Sequence, residues 1–367
     1  LALTAAAGYV SFDAWEQAHA DDGSYGKETK TVHSLCNACS TKCGFTGYVE
    51  NGRLAKMIAD KDHPYAQGKL CARGYGYSQI AYSKDRLTDP LKKNDKGAFE
   101  AVSWEQAYAE IAEKVKSIID SSGPEALAIV QDPRPSGKYY TKRFMNALGS
   151  ANIYTHAAAC NLSKEAGLTE TIGASNYSVD FGSCKMVVFI GRSYGDGIRP
   201  SSVQSLADAA ENGTRVVIVD PRLNNSGIFA SDWVPINPGT DLALLLAMAN
   251  VLIEEDLYDH EFVDNWCYGF DELAEHVTQF TPAWAAEITG LPEEQITEVA
   301  RLMGTVKPMG INCGNGIGDQ SADGHWTVAC ACIIEAITGN LGIAGGGGAG
   351  MVMPEPLIKT KEIDLLS

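Results

Sequence analysis

The chain has 367 residues, of which 45% are hydrophobic and 20% are charged, and its formal net charge is −17. This length and composition are ordinary for a globular protein of two or three domains, and an acidic surface repels the phosphates of nucleic acids. No run of 18 apolar residues occurs, so the sequence predicts no transmembrane helix. The acidic net charge argues against a nucleic-acid partner.

Residues 1–30 have the composition of an export-signal remnant followed by a polar leader. They begin with LALTAAAGYV, which is small and apolar, and residues 18–20 match the A-x-A pattern of signal cleavage. Asp13 and Glu16 fit a signal poorly, so a frayed N-terminus stays open as the alternative. We expect a Tat-type signal and export to the periplasm or the outer face of the cytoplasmic membrane.

The next segment, residues 31–90, is predicted to form a small cysteine-bearing unit. Two β-prone runs, FTGYVE and RLAKMI, flank Asn51-Gly52. Asn-Gly between such runs is a strong hairpin signal, because a type I′ turn needs positive φ at both central residues. We therefore expect an antiparallel hairpin in the middle of this unit.

Four of the ten cysteines crowd into this unit with the spacing C-x2-C-x3-C-x27-C. Structural zinc usually uses paired ligands, whereas here three ligands are clustered and one is remote, which suits a [4Fe–4S] cluster. Zinc and disulfides remain the alternatives. The predicted cluster ligands are Cys36, Cys39, Cys43 and Cys71. Arg73 follows closely, either as a surface cation or as a fixed positive charge beside the cluster.

A helix is predicted to begin after Ser103, which can cap it while Gln106 completes a capping box. Apolar residues then recur at helical spacing, and Gly123-Pro124 stops the helix. The apolar run ALAIVQD follows as a short strand at 126–132. This order of helix, turn and strand indicates α/β layering.

A clearer βαβ unit follows. KMVVFIG (185–191) and RVVIVD (215–220) are predicted to be buried strands, joined by a helix from about residue 200 to residue 211. Ligands of α/β sheets bind beyond the carboxyl ends of the strands. We therefore expect this unit to bind a ligand at that edge of its sheet.

Three residues after those strands are candidates for that contact. Gly191 opens a loop after the first strand. Asp220 ends the second strand, where a carboxylate can accept hydrogen bonds from a ligand such as a ribose. Arg222 could pair with a phosphate.

Two apolar helices are predicted in the second half of the chain, at 241–255 and 325–338. Asp241 starts the first of them, and by position alone it is an N-cap. The remaining cysteines outside the cluster motif are most simply core residues. They are Cys184, Cys267, Cys313, Cys330 and Cys332.

The segment CNACSTKCGFTGYVENGRLAKMIADKDHPYAQGKLCARG resembles the iron–sulfur domain of the dimethyl-sulfoxide-reductase family of molybdopterin enzymes. The resemblance continues in order through THAAAC, VVFIG, VVIVDPRL, INPGTDLALLLA and TGNLGIAGGG. Within that family the chain is most similar to the catalytic subunits of polysulfide and thiosulfate reductases. The resemblance therefore covers almost the whole chain after Val32.

The resemblance implies an α/β fold with a small N-terminal [4Fe–4S] domain at 31–90. Rossmann-like molybdopterin-binding domains would occupy residues 91–367, with the nucleotide-binding βαβ region at about 151–340. The family's C-terminal β-barrel domain is expected to be absent, because family members are much longer than this chain.

At the metal, the resemblance matches Cys160 to the side chain that ligates molybdenum or tungsten. A soft thiolate suits such a metal, although a buried structural cysteine is the alternative. His156, four residues earlier in the sequence, would line the substrate pocket or else serve a structural role.

At the pterins, the resemblance implies a glycine-rich loop at 314–324 that includes Gly314 and Gly316. After Gly239, it gives Asp241 the role of recognising guanine. Thiosulfate-type enzymes tend to carry a basic residue near Asn315, so this departure leaves the sulfur substrate open.

The resemblance thus implies a catalytic subunit that reduces a small substrate, with sulfur compounds as first candidates, by two electrons in anaerobic respiration. Electrons would pass from the cluster by way of Arg73 to molybdenum, or tungsten, on bis(molybdopterin guanine dinucleotide). An iron–sulfur electron-transfer subunit and a membrane-anchor subunit are the expected partners. The alternatives are formate, arsenic, tetrathionate or catechol chemistry, non-redox hydration, or a zinc-binding module without catalysis.

Overall fold

The computed structural model describes residues 29–39, 41–131, 138–196 and 199–349. The predicted export signal lies almost wholly outside this range. The chain divides into two compact units, one built from residues up to 86 with 198–201 and the other from 87–197 with 202 onward. No helix of the described part is long and apolar enough to cross a membrane.

The first unit is built on a three-stranded antiparallel sheet of β1 (Thr29–Leu35), β2 (Gly44–Glu50) and β3 (Arg53–Ala59). The predicted hairpin joins β2 to β3. Asn51 and Gly52 have φ of 49° and 77°, which is the positive φ at both positions that a type I′ turn requires. Helix α1 (Ala72–Ala81) follows the sheet.

The second unit contains the remaining helices and strands. Its helices are α2 (Trp104–Ser122), α3 (Lys138–Leu148), α4 (Leu162–Ile172), α5 (Pro200–Glu211), α6 (Asp241–Glu254), α7 (His260–Trp266), α8 (Phe270–Val277), α9 (Pro282–Thr289), α10 (Glu293–Thr305), α11 (Asn315–Asp319) and α12 (Gly324–Ile337). Its strands are β4 (Leu91–Lys93), β5 (Phe99–Ala101), β6 (Ile129–Gln131), β7 (Ile153–Thr155), β8 (Tyr177–Val179), β9 (Met186–Ile190), β10 (Arg215–Val219), β11 (Asp232–Val234), β12 (Met309–Cys313) and β13 (Gly347–Ala349).

A four-stranded parallel sheet in the order β11-β10-β9-β12 forms the centre of this unit. The predicted strands at 185–191 and 215–220 are confirmed as β9 and β10, and the predicted helix between them is α5. Their apolar runs are buried on both faces, as parallel sheets require. In β9, Met186, Val188 and Ile190 pack into one core cluster, while Val187 and Phe189 pack into another on the opposite face.

Helix α6 fills the larger of these two clusters. It packs against α9, α10 and α12, and most of its residues are buried. This agrees with its apolar sequence, because a helix that is hydrophobic on most faces has to be enclosed by other elements. Its first residue, Asp241, is thereby held at the edge of the core.

Helix α2 begins where its capping residue predicts. Ser103 Oγ accepts a hydrogen bond from the Gln106 backbone N–H at 3.2 Å, but the Gln106 side chain donates to Glu110 rather than completing the capping box. The apolar face of this helix is open to solvent. Trp104 is 54% exposed and Tyr108 is 64% exposed.

The glycine-rich segment at 314–324 differs from the predicted loop, because its first part forms the short helix α11. Gly314 lies against the backbone of Gly191, and a Cβ built on Gly314 would stand 1.8 Å from the Gly191 carbonyl oxygen. Only glycine allows this approach, which joins the end of β12 to the end of β9.

Candidate functional site

The first candidate site lies in the cysteine-bearing unit. Cys36 directly follows β1, Cys43 directly precedes β2, and the Cys36 N–H donates to the Cys43 carbonyl at 2.8 Å. Cys71 directly precedes α1. Cys36 and Cys43 are buried, whereas Cys39 and Cys71 are partly exposed.

The four thiols are close enough to influence one another. Burial raises the pKa of Cys43, and the neighbouring Cys39, Cys36 and Cys71 raise it further. The structure therefore brings together the four sulfurs that the sequence spacing selected. Together with Phe45 and Ala66, two of them form the small buried core of this unit.

Positive charge adjoins the same group. Burial raises the pKa of Cys39, but hydrogen bonds from Thr41 and the charges of Arg199 and Arg73 outweigh it and bring the pKa below its ordinary value. Arg73 thus acts electrostatically on a predicted ligand. The charge of Arg199 also lowers the pKa of Cys39. Arg199 lies far from the cysteines in sequence and was not predicted to be part of this site.

The donor set can be compared with the geometry of possible metal groups. Thiolates that share one zinc ion lie about 3.8 Å apart, because each Zn–S bond is about 2.3 Å long. Among the residues described here, no group of three or more His, Cys, Asp or Glu side chains is arranged to hold a single metal ion. The four thiols act on one another electrostatically, and a set of four thiolates is the donor set of a [4Fe–4S] cubane as well as of a zinc site.

The second candidate site lies at the carboxyl ends of the parallel strands in the other unit. Cys160 sits between the 3₁₀ turn His156–Ala159 and helix α4, and it is half-buried. The amide Nδ2 of Asn315 lies 3.9 Å from Cys160 Sγ. Because Asn315 starts α11 directly beyond β12, this contact places the cysteine sulfur at the carboxyl edge of the sheet.

Lys164 provides a second link between these segments. Its Nζ donates to the backbone carbonyl of Cys313, the last residue of β12, at 2.9 Å. The sequence did not predict a role for Lys164. Its contact depends on β12 packing beside α4, so the local sequence around Lys164 carried no signal of this role.

Asp220 and Arg222 lie beyond β10, as predicted, and both have partners within the protein. The carboxylate of Asp220 accepts from the Arg222 N–H at 3.0 Å and from Asn224 Nδ2 at 2.9 Å. The Arg222 guanidinium pairs with Asp196 at 2.9 Å. A phosphate bound by Arg222 would therefore compete with an existing ion pair.

Asp241 faces the same edge from the first turn of α6. Burial raises its pKa, and the charge of Asp220 raises it further, so the two carboxyl groups are neighbours. Gly239, just before it, has φ of 79° and open space around its Cα. This arrangement leaves room for a ligand beside two hydrogen-bond acceptors.

Cations complete this edge. Burial raises the pKa of Cys313 to about 12, while Lys164 and Arg192 act to lower it and Asp241 acts to raise it. Two cations, two carboxylates and the Cys160 thiol thus collect around the ends of β9, β10 and β12. This donor set can bind a ligand that carries anionic groups and hydrogen-bond donors.

The other cysteines have different surroundings. Cys184, Cys313, Cys330 and Cys332 are buried, and Cys267 is half-buried. Burial raises the pKa of Cys330 to about 12 and that of Cys332 to about 11, so both remain thiols at neutral pH. Four of the five cysteines assigned to the core are therefore enclosed there.

Comparison with known proteins gives two family matches. Residues 29–83 match the molybdopterin oxidoreductase Fe4S4 domain. Residues 86–360 match the molybdopterin oxidoreductase family.

Several curated proteins are similar in sequence. Acetylene hydratase of Syntrophotalea acetylenica is 34% identical over 84% of this chain and 43% of its own length. The molybdopterin-containing subunit of thiosulfate reductase from Salmonella typhimurium is 34% identical over 79% of this chain and 38% of its own. Dimethyl sulfoxide reductase of Escherichia coli is 30% identical over 90% of this chain and 46% of its own.

A solved structure is also similar. Acetylene hydratase from Pelobacter acetylenicus superposes with a TM-score of 0.76 at 32% identity, covering 88% of this chain and 45% of that one. The chain thus spans a little under half the length of the relatives it matches.

Proposed function

The chain belongs to the molybdopterin oxidoreductase family, and we propose that it is the part of a catalytic subunit that holds the cluster and ligates the metal through Cys160. The two family domains indicate a [4Fe–4S] cluster and molybdenum bound to molybdopterin. We propose further that the pterin is present as a bis(guanine dinucleotide), with tungsten as the alternative metal.

The proposal gives each group of residues one task. The cluster ligands are the thiolates of Cys36, Cys39, Cys43 and Cys71. Arg73 supplies a positive charge that favours the reduced cluster.

In the other unit, Cys160 supplies the thiolate for the metal, and Asp220 and Asp241 accept hydrogen bonds from the guanine. Arg192 and Lys164 lie where cations can balance the phosphates. When bound, the metal supplies the two-electron chemistry, while the protein orients the cofactor and its substrate. His156 lies one short turn before Cys160, which supports a place at the substrate.

One observation carries this proposal: Cys160 Sγ lies beside Asn315, at the carboxyl edge of the parallel sheet. A cysteine that only filled the core would be enclosed by apolar side chains, as Cys330 is. Cys160 is instead half-buried next to polar groups. That setting suits a thiolate that binds a cofactor at the edge where α/β sheets bind their ligands.

For the reaction, we propose two-electron reduction of a small substrate, with sulfur oxyanions and polysulfide as first candidates. The thiosulfate reductase subunit, at 34% identity, supports this choice. An iron–sulfur electron-transfer subunit, a membrane anchor, export to the periplasm and a role in anaerobic respiration complete the proposal.

Hydration is a second candidate, because the acetylene hydratase of Syntrophotalea acetylenica is also 34% identical and the solved acetylene hydratase from Pelobacter acetylenicus superposes on this chain. Formate oxidation is a further candidate, since the alpha subunit of the F420-dependent formate dehydrogenase of Methanocaldococcus jannaschii is 32% identical over 324 residues. Arsenic, tetrathionate and catechol chemistry fit the same metal site.

The test is anaerobic purification of the intact protein from its source, followed by metal analysis and a substrate panel. We expect about four iron atoms in the cluster and about one molybdenum or tungsten per chain. The reductive assay follows oxidation of a reduced dye in the presence of thiosulfate, polysulfide, tetrathionate, dimethyl sulfoxide or arsenate. The oxidative assay follows reduction of an oxidised dye by formate. Hydration of acetylene is assayed without dye.

The Cys160→Ala variant is the control for the metal site. It should keep its iron and lose activity toward whichever substrate is turned over. Protein that contained zinc without iron or molybdenum would contradict the proposal and favour a binding module.

A further inference from the structure

The side-chain amide of Asn315 is directed at the sulfur of Cys160. Nδ2 lies 3.9 Å from Sγ in a partly buried position. An amide nitrogen can only donate, and a thiolate can only accept, so the direction of this hydrogen bond is fixed.

The backbone around Asn315 is fixed from two sides. The Gly314 N–H donates to the Ile190 carbonyl at 2.8 Å, and a Cβ on Gly314 would overlap the Gly191 backbone. Asn315 therefore begins its helix from a point locked onto the end of β9.

The cysteine segment is fixed to the same strand ends. Lys164, one helical turn after Cys160, donates to the Cys313 carbonyl at 2.9 Å. A Cβ on Gly318 would lie 3.5 Å from the Lys164 backbone nitrogen, so α11 and α4 pack closely. These contacts join the two segments that carry the amide and the sulfur, so the backbones of Asn315 and Cys160 cannot separate without disturbing them.

We propose that Asn315 is a positioning residue for the metal ligand: its amide donates a hydrogen bond to the Cys160 thiolate, orients the sulfur and raises the reduction potential of the bound metal. This rests on the proposed function, in which Cys160 ligates the metal. Hydrogen bonds to ligand sulfurs draw electron density away from the metal, which stabilises its reduced state. The amide is neutral and does not titrate, so it tunes the sulfur without adding charge to the substrate pocket.

The test uses the intact holoenzyme with three substitutions at this position, and its readout is the metal. Asn315→Leu removes the donor at similar volume. Asn315→Asp keeps the shape and replaces the donor with a negatively charged acceptor. Asn315→Gln retains an amide on a longer side chain. The metal potential is measured by redox titration followed by electron paramagnetic resonance, and metal content is measured on the same samples.

Asn161→Leu is the matched control. It removes an amide next to Cys160 in sequence, but that amide donates to Glu165 at 2.7 Å and not to the sulfur. It should leave the metal potential and the metal spectrum unchanged.

We expect the metal potential to fall in Asn315→Leu, to fall further in Asn315→Asp and to recover partly in Asn315→Gln. The cluster potential should not change in any of them. An unchanged metal potential and spectrum in the loaded Leu and Asp variants would overturn the inference. If Leu fails to load metal, the isosteric Asp variant decides by the same criterion.

Failure of the proposed function would look different. Cys160→Ala would then keep the wild-type metal content and the wild-type metal spectrum, which shows that the sulfur is not a ligand. Loss of that spectrum in Cys160→Ala, with unchanged Asn315 variants, would instead leave the ligand assignment standing and remove only the role of Asn315.

Discussion

At the scale of single residues, the cysteines fall into two groups by what surrounds them. The thiol of Cys43 interacts with three other thiols, whereas Cys184 Sγ donates to the Phe181 carbonyl at 3.7 Å and lies 3.9 Å from Thr214 Oγ1. The thiols around Cys43 form a group of soft metal ligands, whereas Cys184 is a single buried thiol whose hydrogen-bonding partners are within the protein core.

This difference predicts opposite outcomes for the same substitution. Cys71→Ser should lose most of the bound iron and the brown absorbance of the cluster, because a serine hydroxyl is a poor ligand for iron. Cys184→Ser should keep both, since a hydroxyl can make the same hydrogen bonds to Phe181 and Thr214. Iron quantification after anaerobic purification measures the result, and equal iron in the two variants would contradict the assignment.

Asp241 gives a prediction about pH. Burial and the charge of Asp220 raise its pKa. In the proposed guanine contact, only the ionised carboxylate can accept both guanine N–H groups. Binding of GDP to cofactor-free protein should therefore be constant at high pH and weaken as pH falls through the raised pKa. This loss should begin at a higher pH than for an ordinary aspartate.

Asp241→Asn tests the same contact without titration. It should weaken GDP binding about tenfold or more, because a hydrogen bond to a charged group contributes about 1.5–3 kcal/mol, and it should remove that pH dependence. Calorimetric titration from pH 4 to pH 8 measures both, with Asp208→Asn on the exposed side of α5 as control. Wild-type affinity in Asp241→Asn would exclude the guanine contact.

The sequence could identify Cys36, Cys39 and Cys43 because their spacing is local. It could not identify Lys164, whose role depends on β12 lying beside α4, nearly 150 residues away in sequence. Arg199 escaped notice for the same reason. Contacts that depend on tertiary packing leave no periodic signal in the chain.

At the scale of elements, the outer edge of β12 is satisfied by side chains. The Met309 N–H donates to Asn340 Oδ1 at 2.9 Å, and the Ile311 N–H donates to Glu335 Oε1 at 2.7 Å. Glu335 is only 1% exposed, and burial raises its pKa well above the ordinary value of 4.5. Glu335 therefore keeps its proton in the folded protein at pH values where the unfolded chain releases it.

The free energy of unfolding should consequently fall as pH rises above 4.5. The folded state holds a proton that the unfolded state has lost, so the slope attributable to Glu335 is up to about 1.4 kcal/mol per pH unit until the raised pKa is reached. Glu335→Gln keeps an acceptor for Ile311 and removes this slope. The stability of the Gln variant relative to wild type should therefore increase with pH.

Glu335→Leu separates the hydrogen bond from the titration. It leaves the Ile311 N–H without its acceptor, which costs about 1–3 kcal/mol at any pH. Urea unfolding at several pH values measures the stability of both variants, and hydrogen exchange of the β12 amides measures the loss of the Ile311 hydrogen bond. Parallel pH dependence in wild type and Glu335→Gln would contradict the buried-proton explanation.

Among the elements, β9 and β10 could be predicted because each is a continuous apolar run. β12 could not, because its sequence, MGINC, contains a glycine and an asparagine, which rarely occur in strands. Gly310 is used there for close packing, since a Cβ would stand 2.4 Å from Val179 Cγ1. The solvent exposure of the apolar face of α2 could not be predicted either, because helical periodicity shows which residues share a face but not whether another element covers that face.

At the scale of the whole molecule, the two units have very different cores. Among the described residues of the cysteine-bearing unit, the buried core cluster consists of Cys36, Cys43, Phe45 and Ala66. The other unit has an extensive core on both faces of its parallel sheet. Half of the smaller core is thus made of predicted metal ligands, which predicts that this unit depends on its cluster for folding.

Iron removal should therefore affect the two units unequally. After anaerobic chelation, the amides of β1–β3 should exchange much faster with solvent, while those of β9 and β10 should keep their protection. Hydrogen exchange with mass spectrometry measures both in one sample, and re-addition of iron and sulfide provides the control. Protection that persisted in β1–β3 after complete iron loss would show that the small unit folds without its cluster.

The side-chain acceptors along β12 also affect how copies of the protein can associate. A strand at the rim of a sheet normally offers its amides as a template on which a neighbouring molecule can polymerise. Here Asn340 and Glu335 already occupy the amides of Met309 and Ile311. Fibrous aggregates should not grow from this rim in concentrated solution, and replacing these two acceptors together is the change that would allow them.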